Sequence, residues 1–103
     1  MYYVYMLRCD DNSLYTGFTT DLNRRLAEHK AKNKPYGKYT RTHNALYIAA
    51  AWACETRQEA CRLEYYIKTL TKQKKETLIN EPTYFEKAFG EKLDYTKYSP
   101  IKV

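Results

Sequence analysis

Two stretches near the N-terminus carry the alternating pattern of side chains that is typical of β-strands. Residues 2–9 (YYVYMLRC) are rich in Tyr and Val, and residues 14–19 (LYTGFT) alternate in the same way. The segment between them, residues 10–13 (DDNS), consists of side chains that bond locally to the backbone in turns. The pattern therefore predicts an antiparallel hairpin.

The period of the apolar residues then changes to that of a helix. Leu22 and Leu26 stand four positions apart, after Thr20 or Asp21, either of which would cap a helix that runs to about residue 32. The segment that follows contains Pro and Gly and ends the helix.

The apolar stretch at residues 45–54 (ALYIAAAWAC) fits either a buried strand or a buried piece of helix. Its Tyr, Ile and Trp favour a strand. The sequence TRQE at residues 56–59 has the form of a capping box, so a new helix begins directly afterwards and decides the matter for a strand. An apolar face then repeats to about residue 71.

The rest of the chain predicts less regular structure. Residues 72–80 predict a short helix that ends at LIN, and residues 82–89 predict a helical turn. A chain of 103 residues suits one domain, here of the α+β class in the order ββαβα. We take residues 1–80 as the domain and residues 81–103 as a C-terminal extension, either part of the same domain or a loosely packed tail.

The positive charge is concentrated in the first three quarters of the chain. The net charge is +6; residues 1–75 carry 14 Lys and Arg against 7 Asp and Glu, while residues 76–103 carry 4 against 5. A basic body attracts phosphate backbones, so nucleic acid is the leading class of partner, and a solvated surface is the alternative.

The cysteines indicate a reducing compartment. Cys9, Cys54 and Cys61 are odd in number and contain no C-x-x-C pair, which argues against a disulfide framework or a structural zinc site. The N-terminus lacks a signal-peptide pattern, and no apolar run approaches the ~20 residues of a membrane span. We therefore expect a cytoplasmic protein without membrane contact, whose oligomeric state is left open.

Glu64 is the carboxylate most suggestive of chemistry. It lies beside the apolar face of the predicted helix, next to Ala60 and Ile67. Such a carboxylate either extends to water, pairs with a basic side chain or holds a cation. With no His or Asp at ligand spacing, it would suit Mg²⁺ or Mn²⁺, which bind one carboxylate, several waters and phosphate oxygens.

Tyrosines of the hairpin and one helix row supply the other candidates. Tyr5 and Tyr15 either pair across the strands as structure or act in chemistry, where a cation beside a tyrosine lowers its pKa below ~10 and makes a general base. Arg25 and His29 share a helix row, and Arg25 either holds a phosphate or is a surface residue. Gly17, inside a strand, marks a bulge, a bend or a close approach to the backbone.

Five short motifs in order resemble the GIY-YIG nuclease superfamily. They are YVY (residues 3–5), YTG (15–17), DLNRRLAEH (21–29), EACRLEYYIK (59–68) and LIN (78–80). The chain is most similar to the small stand-alone members of the YhbQ/YazA type, near the URI group. The resemblance covers about residues 2–80 and implies a three-stranded antiparallel sheet flanked by helices.

The resemblance also implies roles for individual residues, in phosphodiester hydrolysis with one divalent metal ion. Tyr5 matches the family's general base, Tyr15 the second tyrosine, Arg25 the phosphate-contacting arginine, His29 a helper position and Glu64 the metal ligand. Asn80 matches a late asparagine.

The sequence departs from the family motifs at three positions in the strands. Tyr3 stands where the first motif has Gly, and Thr16 stands where the second motif has Ile. Phe18 replaces a Lys of the excision-repair relatives.

These observations together predict a Mg²⁺- or Mn²⁺-dependent DNA endonuclease, structure-selective or weakly specific, with a role in DNA repair or recombination. Lys38, Arg41 and Arg24 are expected to bind the phosphate backbone of DNA, and the choice between DNA and RNA is left open. Gly17 is expected to leave room for the scissile phosphate. The alternative is a nucleic-acid-binding module of the same fold with little catalysis, which the Phe18 departure favours.

Overall fold

The computed structural model describes residues 1–31 and 43–103, and it has the predicted α+β architecture. One antiparallel sheet has the strand order β2-β1-β3-β4. The strands are β1 (Tyr2–Cys9), β2 (Leu14–Thr19), β3 (Ala45–Cys54) and β4 (Ser99–Ile101). Three strands were expected and the sheet has four, because the C-terminal segment adds β4 beside β3 at the edge of the sheet.

The predicted hairpin forms through a tight turn between β1 and β2. Asn12 adopts the left-handed conformation with a φ of 68°, which a short polar side chain tolerates. The Cys9 amide donates to the Ser13 carbonyl at 3.0 Å and closes the turn. Because the turn sets the register, Tyr5 lies opposite Gly17 on β2.

The central strand β1 is buried on both faces. Val4 and Met6 belong to one apolar cluster and Tyr5 and Leu7 to the other, and all four are at most 1% exposed. Such burial follows from the position of β1, which has β2 on one side and β3 on the other. The sheet therefore has two covered faces, and each face receives its own helices.

Helix α1 (Leu22–Lys30) covers the Tyr5 face. Leu22 and Leu26 pack against the cluster of Tyr5 and Leu7, as their spacing predicts. Asp21 is the N-cap, because its side chain accepts a hydrogen bond from the Arg24 amide at 3.0 Å.

Helix α2 (Arg57–Lys68) covers the opposite face and begins at the predicted capping box. The Thr56 hydroxyl accepts from the Glu59 amide at 3.1 Å, and the Glu59 carboxylate accepts from the Thr56 amide at 3.2 Å. The helix ends at Lys68 rather than at residue 71, because Thr71 caps a separate helix, α3 (Lys72–Asn80). Three side chains of α2 join the cluster of Val4 and Met6: Ala60, Leu63 and Ile67.

The C-terminal residues pack on this same cluster. They form α4 (Tyr84–Phe89), a 3-10 turn (Tyr95–Lys97) and β4. Four of their side chains are buried with Val4 and Met6: Phe85, Phe89, Leu93 and Tyr98. The Tyr98 hydroxyl donates to the Glu59 carbonyl at 2.7 Å and ties the segment to α2. Of the two expectations for residues 81–103, the loosely packed tail is wrong, because aromatic rings supply the burial.

Within the described ranges, no helix combines the length and apolar character needed to cross a membrane. Cys9, Cys54 and Cys61 are all free thiols. Two predicted nucleic-acid-binding residues, Lys38 and Arg41, lie outside the described residues.

Candidate active site

Four of the predicted residues meet on the face of the sheet that α1 covers. The rings of Tyr5 and Tyr15 have centroids 6.3 Å apart, and the His29 ring lies 6.0 Å from Tyr5 and 5.2 Å from Tyr15. The guanidinium of Arg25 is close enough to influence the Tyr5 hydroxyl as a charge and as a hydrogen-bond donor. Arg25 and His29, which share one row of the helix, thus lie next to the two tyrosines of the strands.

The hydroxyl of Tyr5 hydrogen bonds to His29. Tyr5 Oη and His29 Nε2 are 3.0 Å apart, and both residues are at most 1% exposed. Burial raises the pKa of Tyr5 well above its usual range, and the charge of Tyr15 adds to this, while Arg25 opposes it. Arg25 lowers the pKa of Tyr5, as a neighbouring cation is expected to do, but the desolvation of the buried hydroxyl outweighs it.

The pKa of His29 is shifted in the opposite direction. Burial lowers the pKa of this imidazole, and the charge of Arg25 lowers it further, against the carboxylate of Glu28. Near neutral pH both members of the pair are therefore uncharged. The hydrogen bond then joins two neutral groups, and in the imidazole tautomer protonated at Nδ1 the phenolic O–H of Tyr5 donates to His29 Nε2.

Arg25 is positioned by two neighbours. Its Nε donates to Glu28 Oε1 at 3.1 Å, and its Nη1 donates to the Phe18 carbonyl at 3.3 Å. Glu28 was not predicted as part of the site. The signal in the sequence was the spacing of opposite charges three positions apart on one helix, which places them side by side.

Gly17 makes room for a tyrosine ring. A Cβ built at this position would lie 2.8 Å from Tyr5 Oη, 3.0 Å from Tyr5 Cζ and 3.2 Å from a ring carbon of Tyr15. Its φ is not positive, so space rather than backbone conformation requires glycine here. A close approach to the backbone does occur at Gly17, and the approaching group is the protein's own Tyr5 ring. Room for the scissile phosphate stays a prediction.

Glu64 lies on α2, which covers the opposite face from α1. Its carboxylate is still close enough for its negative charge to raise the pKa of Tyr5. The side chain is 22% exposed, and its Oε2 lies 3.4 Å from the Lys68 ammonium. The candidate site is thus assembled from both faces of the sheet.

The donor set fits one kind of metal ion. Among residues 1–31 and 43–103, no group of three or more His, Cys, Asp or Glu could hold a metal. A single partly exposed carboxylate is the ligand that Mg²⁺ or Mn²⁺ takes when waters and substrate phosphate complete its coordination. Glu64 fits that role, with Lys68 as the competing cation.

Two further predicted residues, Arg24 and Asn80, lie within the described part of the chain. Arg24 is exposed on α1, and Asn80 is the exposed last residue of α3. Thr16, which stands where the related motif has Ile, is 3% exposed. Its hydroxyl is the buried side-chain oxygen that lacks a hydrogen-bond partner within the described part of the chain.

Comparisons with known proteins agree with the fold and with the motifs. Residues 1–77 match the family model described as the GIY-YIG catalytic domain. A UPF0213 protein of Fusobacterium nucleatum is 43% identical over 86 residues, which cover 84% of each chain. A UPF0213 protein of Halalkalibacterium halodurans is 46% identical over 79 residues, or 77% of this chain and 82% of that one.

A solved structure matches nearly the whole chain. The solution NMR structure of a UPF0213 protein from Bacillus halodurans is 38% identical and aligns with a TM-score of 0.50. The alignment covers 89% of this chain and 98% of the other. Of these comparisons, the family match over residues 1–77 includes Tyr5, His29 and Glu64.

Proposed function

The chain belongs to the GIY-YIG family, and from its site we propose that it is a divalent-metal-dependent endonuclease that hydrolyses phosphodiester bonds in DNA. The observation that carries the proposal is the contact of 3.0 Å between Tyr5 Oη and His29 Nε2 beside Arg25. A neutral phenol bonded to a neutral imidazole forms a path along which a proton leaves an attacking water.

The proton transfer runs through Tyr5 to His29. As water attacks phosphorus, its proton passes to Tyr5 Oη while the proton of Tyr5 passes to His29 Nε2. The phosphorus–oxygen bond to the leaving group then breaks. The imidazolium returns its proton to Tyr5 Oη as Tyr5 gives a proton to the leaving oxygen, so Tyr5 and His29 are neutral again when the product departs. Tyr5 never becomes a free tyrosinate, which suits a phenol whose pKa burial raises.

The charged residues of the site have separate tasks. Arg25, held by Glu28 and by the Phe18 carbonyl, is oriented to offset negative charge on the transferring phosphoryl group. A divalent ion at Glu64, Mg²⁺ or Mn²⁺, would polarise a phosphoryl oxygen and neutralise charge on the leaving oxygen. Tyr15, whose ring lies against His29, would keep that imidazole in place.

Binding is proposed to depend on the phosphate backbone and therefore to be structure-selective or weakly specific. Arg24, Lys38, Arg41 and Asn80 remain the candidates for these contacts. A cytoplasmic location and a role in DNA repair or recombination complete the proposal. The free thiols of Cys9, Cys54 and Cys61 support a reducing compartment.

A cleavage assay tests the proposal. The purified protein is incubated with labelled single-stranded, duplex and branched DNA, and with the matching RNAs, in Mg²⁺, in Mn²⁺ and in EDTA. We expect metal-dependent cutting that falls by about 10²- to 10⁴-fold in Glu64→Gln, Tyr5→Phe and His29→Gln. Glu81→Gln, which removes an exposed carboxylate far along the chain, is the matched control.

The same assay separates two functions. Cutting that survives Glu64→Gln and Tyr5→Phe would overturn the site assignment. Binding without cutting under every metal condition would support a non-catalytic nucleic-acid-binding module of the same fold. The ion pair of 3.4 Å between Lys68 and Glu64 favours that second function, because it already neutralises the carboxylate.

A further inference from the structure

Three lysines gather where α2 ends and α3 begins. Lys68 is the last residue of α2, and Lys72 and Lys75 lie in the first turn of α3. Lys72 and Lys75 stand three positions apart on α3, which makes them neighbours on the helix surface, and three residues separate Lys68 from the start of α3. In agreement with this placement, the charges of Lys68 and Lys72 lower the pKa of Lys75, after the larger effect of its burial. Like charges are brought together here although nothing in the helix–helix connection requires it.

Among the residues that the structure describes, Lys68 and Lys72 each have a counter-ion and Lys75 has none. Lys68 Nζ lies 3.4 Å from Glu64 Oε2, and Lys72 Nζ lies 3.0 Å from Glu76 Oε2. Within residues 1–31 and 43–103, Lys75 has no ion pair. A cation that is partly withdrawn from water beside two like charges is unfavourable until an anion binds there.

The nearest carboxylate on α3 does not compensate Lys75. Glu76 accepts two hydrogen bonds from Arg8 of β1, at 2.5 Å and 2.7 Å, in addition to its contact with Lys72. The groups that face the lysines from α2, α3 and β1 are therefore Glu64, Glu76 and Arg8. Both carboxylates are engaged by other cations, which leaves the cluster with a positive surplus.

Two lysines of the cluster also lie at the N-terminus of α3, where positive charge is unfavourable. The first turn of this nine-residue helix contains no acidic residue and is instead basic. Cations near a helix N-terminus oppose the helix dipole, so this arrangement lowers the stability of α3. The same dipole adds to the attraction that the lysines exert on an anion.

From these contacts we propose that Lys68, Lys72 and Lys75 form a phosphate-binding surface that holds the nucleic-acid backbone beside the cleavage site. The inference rests on the proposed nucleic-acid substrate. Lys68 links the two regions, since it touches Glu64 on one side and belongs to the lysine cluster on the other. Lys75 is the residue whose ammonium receives a counter-ion only when a phosphate is bound.

The test is the salt dependence of binding to a 20-base-pair DNA duplex in EDTA, which prevents cutting. Each phosphate contact contributes about −0.9 to the slope of log K against log salt. Lys75→Gln should therefore make the slope shallower by about 0.9. The ratio of the binding constant of the unaltered protein to that of Lys75→Gln should then fall about 3.5-fold between 50 and 200 mM salt. Lys75→Arg should keep the original slope.

Lys74→Gln is the matched control, because it removes the same charge from the same helix at a position that faces another direction. Equal effects of Lys74→Gln and Lys75→Gln would overturn the proposal, since net charge alone would then explain them. An unchanged slope in Lys75→Gln would overturn it as well. If the unaltered protein binds with the expected slopes but never cuts, the proposed catalysis fails while this surface stands.

Discussion

At the scale of single residues, the site depends on one hydroxyl that several neighbours control. Tyr5 Oη is bonded to His29, lies near Arg25 and rests over the backbone of Gly17. None of these four residues is adjacent to another in the sequence. The strand register and the docking of α1 bring them together. A substitution at any of them should therefore change the environment of the Tyr5 hydroxyl.

Gly17→Ala should displace the Tyr5 ring. The new Cβ would lie 2.8 Å from Oη, and Tyr5 at 1% exposure has little space to move into. We expect a loss of about 1–3 kcal/mol in the free energy of unfolding and a larger proportional loss of cleavage. Urea unfolding and the cleavage assay measure the two effects.

The control is Gly17→Ala in a Tyr5→Phe background. Removing Oη removes the nearest atom, so the alanine should cost less stability there than in the unaltered protein. An equal cost in both backgrounds would show that the strain arises elsewhere on β2.

His29 should make stability depend on pH. Its pKa is lowered in the folded protein, so the unfolded chain binds a proton more readily once the pH falls below about 6.5. The free energy of unfolding should therefore decrease from pH 6.5 downward, by up to about 1.4 kcal/mol per pH unit, until the folded pKa is reached.

Urea unfolding between pH 5 and pH 7 measures this slope, and His29→Gln should flatten it. Glu76 and Asp11, whose pKa values are lowered to about 2, change stability only below their ordinary carboxylate range and stay outside this window. A slope that His29→Gln leaves intact would refute a buried neutral imidazole.

At the scale of elements, the helix starts explain where the site residues stand. Thr56 and Glu59 fix the first turn of α2 by two reciprocal hydrogen bonds, and Glu64 follows two turns later. Thr71 caps α3 with one hydrogen bond, which its hydroxyl accepts from the Lys74 amide at 3.2 Å. The three residues between α2 and α3 thus change the direction of the chain, and Lys68, Lys72 and Lys75 lie on either side of this connection.

Thr56→Ala should destabilise the protein more than Thr71→Ala. The first change removes a cap from a box that satisfies two backbone donors, whereas the second removes one bond. We expect a cost of about 1–2 kcal/mol for Thr56→Ala and less for Thr71→Ala, measured by urea unfolding. Equal costs would show that the Glu59 half of the box contributes nothing.

At the scale of the whole molecule, the C-terminal quarter completes the core that holds α2 in place. Phe85, Phe89, Leu93 and Tyr98 fill the face on which Ala60, Leu63 and Ile67 pack. The family model matches residues 1–77, so these four C-terminal side chains of the core lie outside the matched part of the chain.

A chain truncated after residue 80 should lose cooperative unfolding. Burial of the four C-terminal side chains contributes about 6–12 kcal/mol together, which is comparable with the 5–15 kcal/mol of a typical domain. Thermal unfolding followed by circular dichroism measures the effect. A chain ending at residue 98, which loses β4 but keeps the four buried side chains, is the control. A sharp transition for residues 1–80 at the original temperature would contradict the prediction.

Local patterns were enough to predict most elements of the fold. The alternation in residues 2–9 and 14–19, the Asp21 cap and the capping box at residues 56–59 are each interactions between near neighbours in the chain. Such signals do not depend on the rest of the molecule. The edge strand β4 was missed because three residues carry no periodicity of their own and pair only with Ala51–Ala53 of β3.

Local patterns in the chain were enough for the elements other than β4, for the family motifs and for the residue types of the candidate site. Tertiary structure decided the environment of each group, because burial and charge depend on residues far apart in the chain. It raised the pKa of Tyr5 where its neighbour Arg25 alone predicted a fall. It filled the space over Gly17 with a tyrosine ring, and it set Lys75 beside two like charges without a counter-ion among the described residues.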